Sequence, residues 1–354
     1  MRTDELDYNL PVEQIARHPT AERDGARLLV VTSAQFCDER VRNWAHLVPE
    51  GALVVLNDTR VRRARFLGSK RGSGGKVEIL LLERRAGSSV GGNVECWEAL
   101  ARPLRSLKPG NWVDVGGLSF RIGERLDDGL LSVEVHANAF ASVDAAIDEM
   151  GHVPIPPYLE REDEPDDVIR YQTVFAKRKG SVAAPTAGLH LTEEALSILE
   201  RRGVTIGHTT LHVGIGTFRP VSANDLNEHP MHSEKYEISP LLSEQIATTR
   251  RNGRRVIAVG TTVVRALESA KDEGCPGHVR AQSGDTRLLI QPGYEFAVVN
   301  GLLTNFHQPK STLLALVSAA VGLSRMKTAY QVALERGYRF LSYGDAMWIP
   351  EIPL

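Results

Sequence analysis

Polar residues stand where several strands of this chain are predicted to end, and this pattern most restricts the possible folds. The runs are NDTR at 57–60, GTT at 260–262 and TNFH at 304–307, each after an apolar segment typical of a buried strand. Each run is predicted to lead into a helix, so strands and helices alternate as they do around a parallel sheet. Because parallel strands end at one edge of a sheet, we expect these runs to converge on a ligand site.

A fourth segment, residues 181–192, is predicted to reach the same edge. It consists of small residues, and Pro185 and Gly188 bend it, with Gly188 allowing a ligand to approach the backbone. Thr192 is predicted to cap a helix that stops at Gly203. His190 makes the segment a candidate site, and the alternative is a tight loop around a packed histidine.

The middle of the chain differs in composition and in hydrophobic pattern. From about residue 61 to 146 glycines are frequent and short alternating segments dominate, which predicts a small β-barrel or sandwich. We therefore predict an α/β fold: a discontinuous three-layer α/β domain (1–61 and 152–354) with a small inserted β-barrel domain (62–151). A length of 354 residues suits two domains.

Some connecting segments also give specific expectations. Residues 154–158 are predicted to form an extended linker, and the acidic run 160–167 a solvated loop. Strands are predicted at 296–303 and 338–348, and the glycine run 72–76 is interpreted as a hairpin loop rather than a phosphate-binding loop.

Composition excludes some classes of protein. The chain is 42% hydrophobic and 24% charged with a net charge of −2, which indicates a globular protein without a generally basic surface. Its three cysteines form no CxxC pair, and residues 1–7 lack the apolar core of a signal peptide. We expect a cytoplasmic protein without a membrane segment.

A cationic stretch with no acid lies at the predicted domain junction. It comprises Arg60, Arg62, Arg63, Arg65, Lys70, Arg71 and Lys76. It is interpreted either as an ordinary solvated surface or as a track for a nucleic-acid backbone.

Histidines are concentrated between residues 190 and 232. His208 and His212 lie four positions apart, but on a predicted strand this spacing is too long for one metal ion, and no cysteine supports them. We therefore expect no metal, and interpret these histidines as packed or catalytic.

Ten sequence motifs, in order along nearly the whole chain, resemble those of the S-adenosylmethionine:tRNA ribosyltransferase-isomerases of queuosine biosynthesis. They are DYNLP at 7–11, RLLV at 27–30, NDTRV at 57–61, YQTVFA at 171–176, GSVAAPTAGLHLT at 180–192, LHVGIGTFRPV at 211–221, MHSE at 231–234, GTTVVRALES at 260–269, TNFH at 304–307 and YGDAM at 343–347. The chain departs from the family pattern at Phe175, where the family has Tyr, at Leu191, where it has Phe, and at Ile215, where it has Ala. Phe175 carries no hydroxyl with which to transfer a proton.

The resemblance implies a reaction. The ribosyl group of S-adenosylmethionine is transferred to the aminomethyl group of a 7-deazaguanine at the wobble position of a tRNA with a GUN anticodon. Adenine and methionine leave, and the base becomes epoxyqueuosine. S-adenosylmethionine is consumed as a substrate, so no cofactor is expected, and we expect a monomer. The alternatives are another S-adenosylmethionine-dependent RNA-binding enzyme, such as a methyltransferase, and a metal-dependent hydrolase built on the histidines.

The motifs of this resemblance supply the candidate site residues. The reaction needs a base for the C5′ proton next to the sulfonium and an acid for departing adenine, and the deazaguanine edge suits a carboxylate. The catalytic candidates are His190, Asp58, His212 and Glu234. The substrate-binding candidates are Arg60, Tyr171, Gln172, Thr186, Gly188, Gly214, Gly216, Thr217, His232, Thr261, Thr262, Arg265, Asn305 and His307. The tRNA-binding candidates are Arg62, Arg63, Arg65, Lys70 and Arg71.

Overall fold

A computed structural model of the chain describes residues 1–85, 87, 92–214, 216, 221 and 223–353. Within these ranges, no helix is both long enough and apolar enough to cross a membrane. Among the described residues, no disulfide joins Cys37, Cys96 and Cys275 to one another.

A nine-stranded sheet forms the centre of the larger domain. In spatial order its strands, numbered along the chain, are β15 (Gln282–Thr286), β13 (Glu234–Ile238), β12 (Thr205–Leu211), β3 (Leu53–Asn57), β14 (Val256–Val259), β16 (Gly301–Asn305), β17 (Ala346–Ile349), β1 (Arg27–Val31) and β2 (Phe36–Arg40). The four strands β12, β3, β14 and β16 are mutually parallel. Their carboxyl ends therefore lie at one edge, as the sequence predicts.

Helices cover both faces of this sheet. They are α1 (Trp44–Leu47), α4 (Glu193–Arg201), α5 (Pro240–Arg251), α6 (Thr261–Ser269), α7 (Thr312–Val321) and α8 (Leu323–Glu335). Helices α2 (Val143–Met150) and α3 (Asp167–Arg170) lie between β3 and β12 in the chain. Leu53 and Val55 pack in the core with residues of α5, α6, α7 and α8, whereas Val54 and Leu56 pack in the core with residues of α1 and α4. Because adjacent side chains of one strand enter opposite cores, the domain has three layers.

A closed six-stranded barrel lies between β4 (Thr59–Val61) and β11 (Arg178–Ser181) in the chain. Its strands are β5 (Arg65–Lys70), β6 (Lys76–Arg84), β7 (Val94–Arg102), β8 (Trp112–Val115), β9 (Leu118–Arg125) and β10 (Leu131–His136). Phe66, Trp97 and Phe120 fill its interior, and α2 packs into the same core. The predicted fold class, α/β with an additional small barrel, is confirmed.

The barrel adjoins the sheet domain through two short connections. Backbone bonds join Arg65 and His152 in both directions, so the entry and exit of the barrel lie side by side. Strand β4 pairs in parallel with β11 at this junction. The run 57–60 thus continues into a strand and not into the predicted helix, because the carbonyl of Asp58 accepts from the backbone of Lys177 and Arg178 and aligns the two segments.

Three other expectations about segments are wrong. Residues 296–300 are not a strand, because the carboxylate of Glu268 accepts the backbone N–H groups of 297, 298 and 299. Residues 338–345 form no strand either, because the carboxylate of Asp345 accepts the N–H groups of Arg27 and Arg339. In the acidic run, Asp167 is not solvated: it is buried and ion-pairs with Arg161.

Candidate active site

A first cavity opens at the carboxyl edge of the parallel strands. The segment 183–187 forms one wall, and the start of α6 and the segment after β16 form the others. The side chains of Tyr158 and Ser342 complete it, with the Tyr158 hydroxyl 2.5 Å from Ser342 Oγ. Hydroxyl and amide groups dominate its polar lining, and none of the lining residues in the described part of the chain is Lys, Arg, Asp or Glu.

The amino end of α6 faces this first cavity. Gly260 occupies the N-cap position with φ +95°, a conformation that favours glycine, and it supplies no side-chain cap. Thr261 and Thr262 follow and line the cavity, and Thr262 Oγ1 accepts from Asn57 Nδ2 at 3.3 Å. An uncapped helix start carries free N–H groups and partial positive charge, which suits an anionic group of a ligand.

His190 lies behind this wall, and it contacts the cavity through Asn305. Asn305 Nδ2 donates to His190 Nε2 at 3.0 Å and also approaches the Leu341 carbonyl at 3.2 Å. Burial, together with the nearby Arg339 and Arg23, lowers the pKa of His190 to about 4. His190 is therefore neutral at pH 7 and holds the Asn305 amide in place.

His307 is the second histidine of the first cavity. Its Nε2 lies 2.8 Å from Thr304 Oγ1, and its backbone N–H donates to the Tyr330 hydroxyl. Burial lowers the pKa of His307 to about 3, so this ring is also neutral at pH 7. A neutral, uncharged cavity does not repel a cationic ligand.

A second cavity adjoins the first along Val213, which lines both. It lies between the sheet domain and the barrel, and it is rich in charge. Its charged lining residues are Arg62, Glu83, Arg84, Glu98, Lys179, Glu234, Lys235 and Asp285. An ion pair between Lys235 of β13 and Glu83 of β6 joins the two domains here.

His212 follows β12 and faces the second cavity. Its Nδ1 lies 2.8 Å from Thr59 Oγ1, and its ring packs against Gly180, where a Cβ atom would come within 2.5 Å of it. Burial, and then Arg62, lower the pKa of His212, although Asp58 acts in the opposite direction. The Asp58 carboxylate itself accepts from the Thr210 hydroxyl at 2.6 Å.

Glu234 and Arg265 form a buried ion pair beside this cavity, with side chains 4% and 9% exposed. Glu234 Oε1 also accepts from the backbone N–H of Gly214 at 3.2 Å, and Arg265 Nε donates to the Leu288 carbonyl. The pair therefore connects β13 and the segment after β12 to α6.

Several predicted substrate-binding residues form the framework behind these walls. Tyr171 is fully buried and packs edge to face on Tyr343. Gln172 pairs with both backbone groups of Val61, and Gly188 leaves room for Phe175, whose ring would lie 2.8 Å from a Cβ atom at that position. The glycine thus accommodates the protein's own side chain, a different role from the predicted ligand approach.

The remaining candidates divide between the second cavity and other places. Gly214 and His232 line the second cavity, and a Cβ atom at Gly216 would collide with His232. Arg60 is exposed on β4, and Thr217 lies outside the described residues, as does Ile215. The first cavity contains Thr186, Thr261, Thr262, Asn305 and His307.

Most side chains of the cationic stretch form hydrogen bonds or ion pairs with other groups of the protein. Arg63 donates to carbonyls of α2 and its end, and Lys70 to the Ser106 carbonyl. Arg65 pairs with Glu78 and Glu162, and Arg71 with Asp114. Of the five tRNA-binding candidates, only Arg62 lines the second cavity; its guanidinium lies 5.0 Å from the Trp97 ring centroid.

Two groups of site residues escaped the sequence analysis. Tyr158 enters the first cavity from a 3-10 turn at Pro157–Leu159 and Ser342 from an irregular segment. Arg84 and Lys179 enter the second cavity from strands β6 and β11. The YGDAM motif at 343–347 directly follows Ser342 and is the one signal that pointed near it. Across the described residues, no group of three His, Cys, Asp or Glu side chains is arranged to hold a metal ion.

The chain resembles known proteins over its whole length. Residues 3–349 match the family described as Queuosine biosynthesis protein. The S-adenosylmethionine:tRNA ribosyltransferase-isomerase of Sorangium cellulosum is 50% identical over 368 positions, covering 99% of this chain and 98% of that one. That of Heliobacterium modesticaldum is 47% identical, covering 97% and 98%. A crystal structure of S-adenosylmethionine tRNA ribosyltransferase from Thermotoga maritima aligns with a TM-score of 0.54 at 31% identity, covering 98% and 99%.

Proposed function

Since the chain belongs to the queuosine biosynthesis family of S-adenosylmethionine:tRNA ribosyltransferase-isomerases, we propose that it transfers and isomerises the ribosyl moiety of S-adenosylmethionine onto tRNA. The acceptor is the aminomethyl group of 7-aminomethyl-7-deazaguanine at the wobble position of a tRNA with a GUN anticodon. The products are epoxyqueuosine-tRNA, adenine and methionine.

The observation that carries this proposal is the contrast in charge between two adjoining cavities. The first has an uncharged polar lining and the uncapped start of α6, which suit the ribose hydroxyls, the sulfonium and the carboxylate of S-adenosylmethionine. The second has four cationic and four acidic side chains, which suit phosphates and the N–H donors of a deazaguanine edge. A reaction between the two ligands would take place beside Val213, the residue that both cavities share.

The reaction requires the wobble base to leave the anticodon stack and enter the second cavity. A base removes the C5′ proton next to the sulfonium, and the resulting ylide drives the loss of adenine. We assign the base to His212, because its lowered pKa leaves the ring unprotonated near neutral pH and it lies next to Val213. His190 acts through Asn305, because a ring with a pKa of about 4 is a weak base.

S-adenosylmethionine is consumed in this scheme, so the protein needs no further cofactor and no metal. We propose that it acts as a monomer, and in the cytoplasm, where its tRNA substrate is found. Sedimentation of the purified protein tests the first statement, and activity after exhaustive chelation tests the absence of a metal.

The test of the proposed function is product analysis. The protein is incubated with S-adenosylmethionine and a tRNA that carries the 7-aminomethyl-7-deazaguanine. Release of adenine and methionine in equal amounts, with epoxyqueuosine in the digested tRNA, is the expected result. Release of S-adenosylhomocysteine would instead identify a methyltransferase and overturn the proposal.

A further inference from the structure

We propose that Asn305 recognises the adenine base of S-adenosylmethionine, by accepting a hydrogen bond from the exocyclic 6-amino group. This inference rests on the proposed function, since it names one contact of the ligand assigned to the first cavity. Asn305 would be a specificity-determining residue that reads the base.

Asn305 has one unused polar atom. Its side chain is only 2% exposed, and its Nδ2 group is shared between His190 Nε2 at 3.0 Å and the Leu341 carbonyl at 3.2 Å. Its Oδ1 atom is buried and has no hydrogen-bond partner among the described residues. Buried polar atoms in proteins nearly always have a partner, so this acceptor indicates a missing donor.

The surroundings fix the orientation of the Asn305 amide. The Leu341 carbonyl accepts only from the nitrogen, so the oxygen of Asn305 cannot take its place. Leu341 is buried with φ +72°, a conformation that non-glycine residues rarely adopt. Strained residues of this kind persist where the surrounding structure requires them, often at ligand sites.

Asn305 belongs to the lining of the first cavity, with its Oδ1 atom beneath the cavity surface. Asn305 lines it together with Phe306, Leu313 and Leu341, which give the wall around the amide an apolar character that suits the face of a purine. The start of α6 is adjacent, because the Gly260 N–H donates to the Leu303 carbonyl at 2.8 Å. The same wall of the cavity therefore contains the anion-binding start of α6. It also contains, two residues after Leu303, the neutral acceptor of Asn305.

The donor groups of S-adenosylmethionine differ in how well they match the Asn305 oxygen. The methionine ammonium is a cation and requires several acceptors or a carboxylate, and the described lining holds no carboxylate. Ribose hydroxyls both donate and accept, so they match the hydroxyls of Thr186, Thr261 and Ser342. The adenine 6-amino group only donates, and it is the complement of an isolated acceptor.

The experiment compares S-adenosylmethionine with its purine analogue, in which hydrogen replaces the 6-amino group. Calorimetric Kd values are measured for both ligands with the full-length wild-type protein, with Asn305→Leu and with the matched control Thr261→Val. Thr261 lines the same cavity, but on α6. Wild type should bind the analogue about tenfold more weakly, because the buried acceptor stays unpaired.

The variants show whether Asn305 causes this preference. In Asn305→Leu the two Kd values should become equal, whereas Thr261→Val should weaken both ligands and keep the tenfold ratio. Equal Kd values for the two ligands in wild type would overturn the inference without any variant, so a misfolded Asn305→Leu does not prevent the test. A preserved ratio in a folded Asn305→Leu would overturn it as well.

Different results would disprove the proposed function and the role of Asn305. If wild type releases adenine and methionine on the modified tRNA but does not distinguish the two ligands, only the role of Asn305 is lost. If wild type releases no adenine and methionine from S-adenosylmethionine on the modified tRNA, the proposed function and this inference are both wrong.

Discussion

The Arg265 guanidinium of α6 ion-pairs with the Glu234 carboxylate of β13, and both side chains are almost fully withdrawn from water. Removing one partner of such a pair leaves an uncompensated buried charge. We therefore expect Arg265→Met to lower the free energy of unfolding by about 3–5 kcal/mol. Urea denaturation at pH 7 measures this loss in the free energy of unfolding. The double variant Arg265→Met/Glu234→Leu removes both charges and should lose less stability than Arg265→Met; an equal or larger loss would contradict the explanation.

The buried histidines predict a pH dependence of stability. His190 has a pKa of about 4 in the folded protein and about 6.5 when unfolded. Between these values the unfolded chain binds a proton that the folded chain does not, so stability falls as pH falls from about 6.5 to about 4. This group alone accounts for about 3 kcal/mol, and His307 acts in the same direction.

The variant His190→Gln tests this assignment, because the amide oxygen can still accept from Asn305 but does not titrate. We expect a shallower slope of unfolding free energy against pH in this range than in wild type. His46, exposed at the end of α1, provides the control variant His46→Gln, which makes the same replacement outside both cavities. An unchanged slope in His190→Gln would show that this ring titrates normally.

A methyl group at position 180 should disturb His212. In Gly180→Ala the added Cβ would lie 2.5 Å from the His212 ring and push it away from Thr59. Since catalysis depends on accurate placement of the base, kcat for adenine release should fall roughly tenfold or more. Gly214→Ala is the matched control: it also lines the second cavity, but nothing lies within 4 Å of its added Cβ. Equal rates for the two variants would argue against His212 as the base.

Two arginines of the cationic stretch should differ in their effect on tRNA. Arg62 lines the second cavity, whereas Arg71 lies on the exposed side of the barrel in an ion pair with Asp114. Arg62→Ala should weaken tRNA binding and reduce the slope of log affinity against log salt by about 1, as expected for a lost phosphate contact. Arg71→Ala should change the slope less. Filter binding at several salt concentrations measures both, and a larger effect of Arg71→Ala would place the tRNA on the outer barrel surface.

The segments best predicted from sequence are those whose own residues determine their structure. The apolar runs RLLVV and TLLALVSAAV form β1 and α7, and the alternating segments form the predicted barrel. The polar strands β13 and β15, with sequences EKYEI and QSGDT, were not predicted, because their pairing depends on each other and on Leu211 and Thr210 of β12. Similarly, Glu268 prevents a strand at 296–300 by taking its backbone donors from a distant helix.

The residues of the candidate site also differ in whether the sequence could predict them. Thr261, Asn305 and His307 were predicted at the cavity because they lie at or just after the carboxyl ends of β14 and β16, which proved to be parallel. Tyr158 and Ser342 are brought together only by the tertiary structure, so their separation of 184 positions hid them. The family motifs do not distinguish residues that contact a ligand from residues that support the site. For this reason Tyr171 and Gln172 were predicted to bind substrate, although they pack within the protein.

The paired backbone bonds between Arg65 and His152 bring both ends of the barrel to one place on the sheet domain. All nine strands of the sheet lie outside residues 65–136, and β3 finds its neighbours β12 and β14 without help from the barrel. The barrel therefore adds no strand to the sheet and leaves its strand order uninterrupted. The second cavity nevertheless depends on the barrel, since Arg62, Glu83 and Arg84 on one side of it come from the inserted segment and its edge.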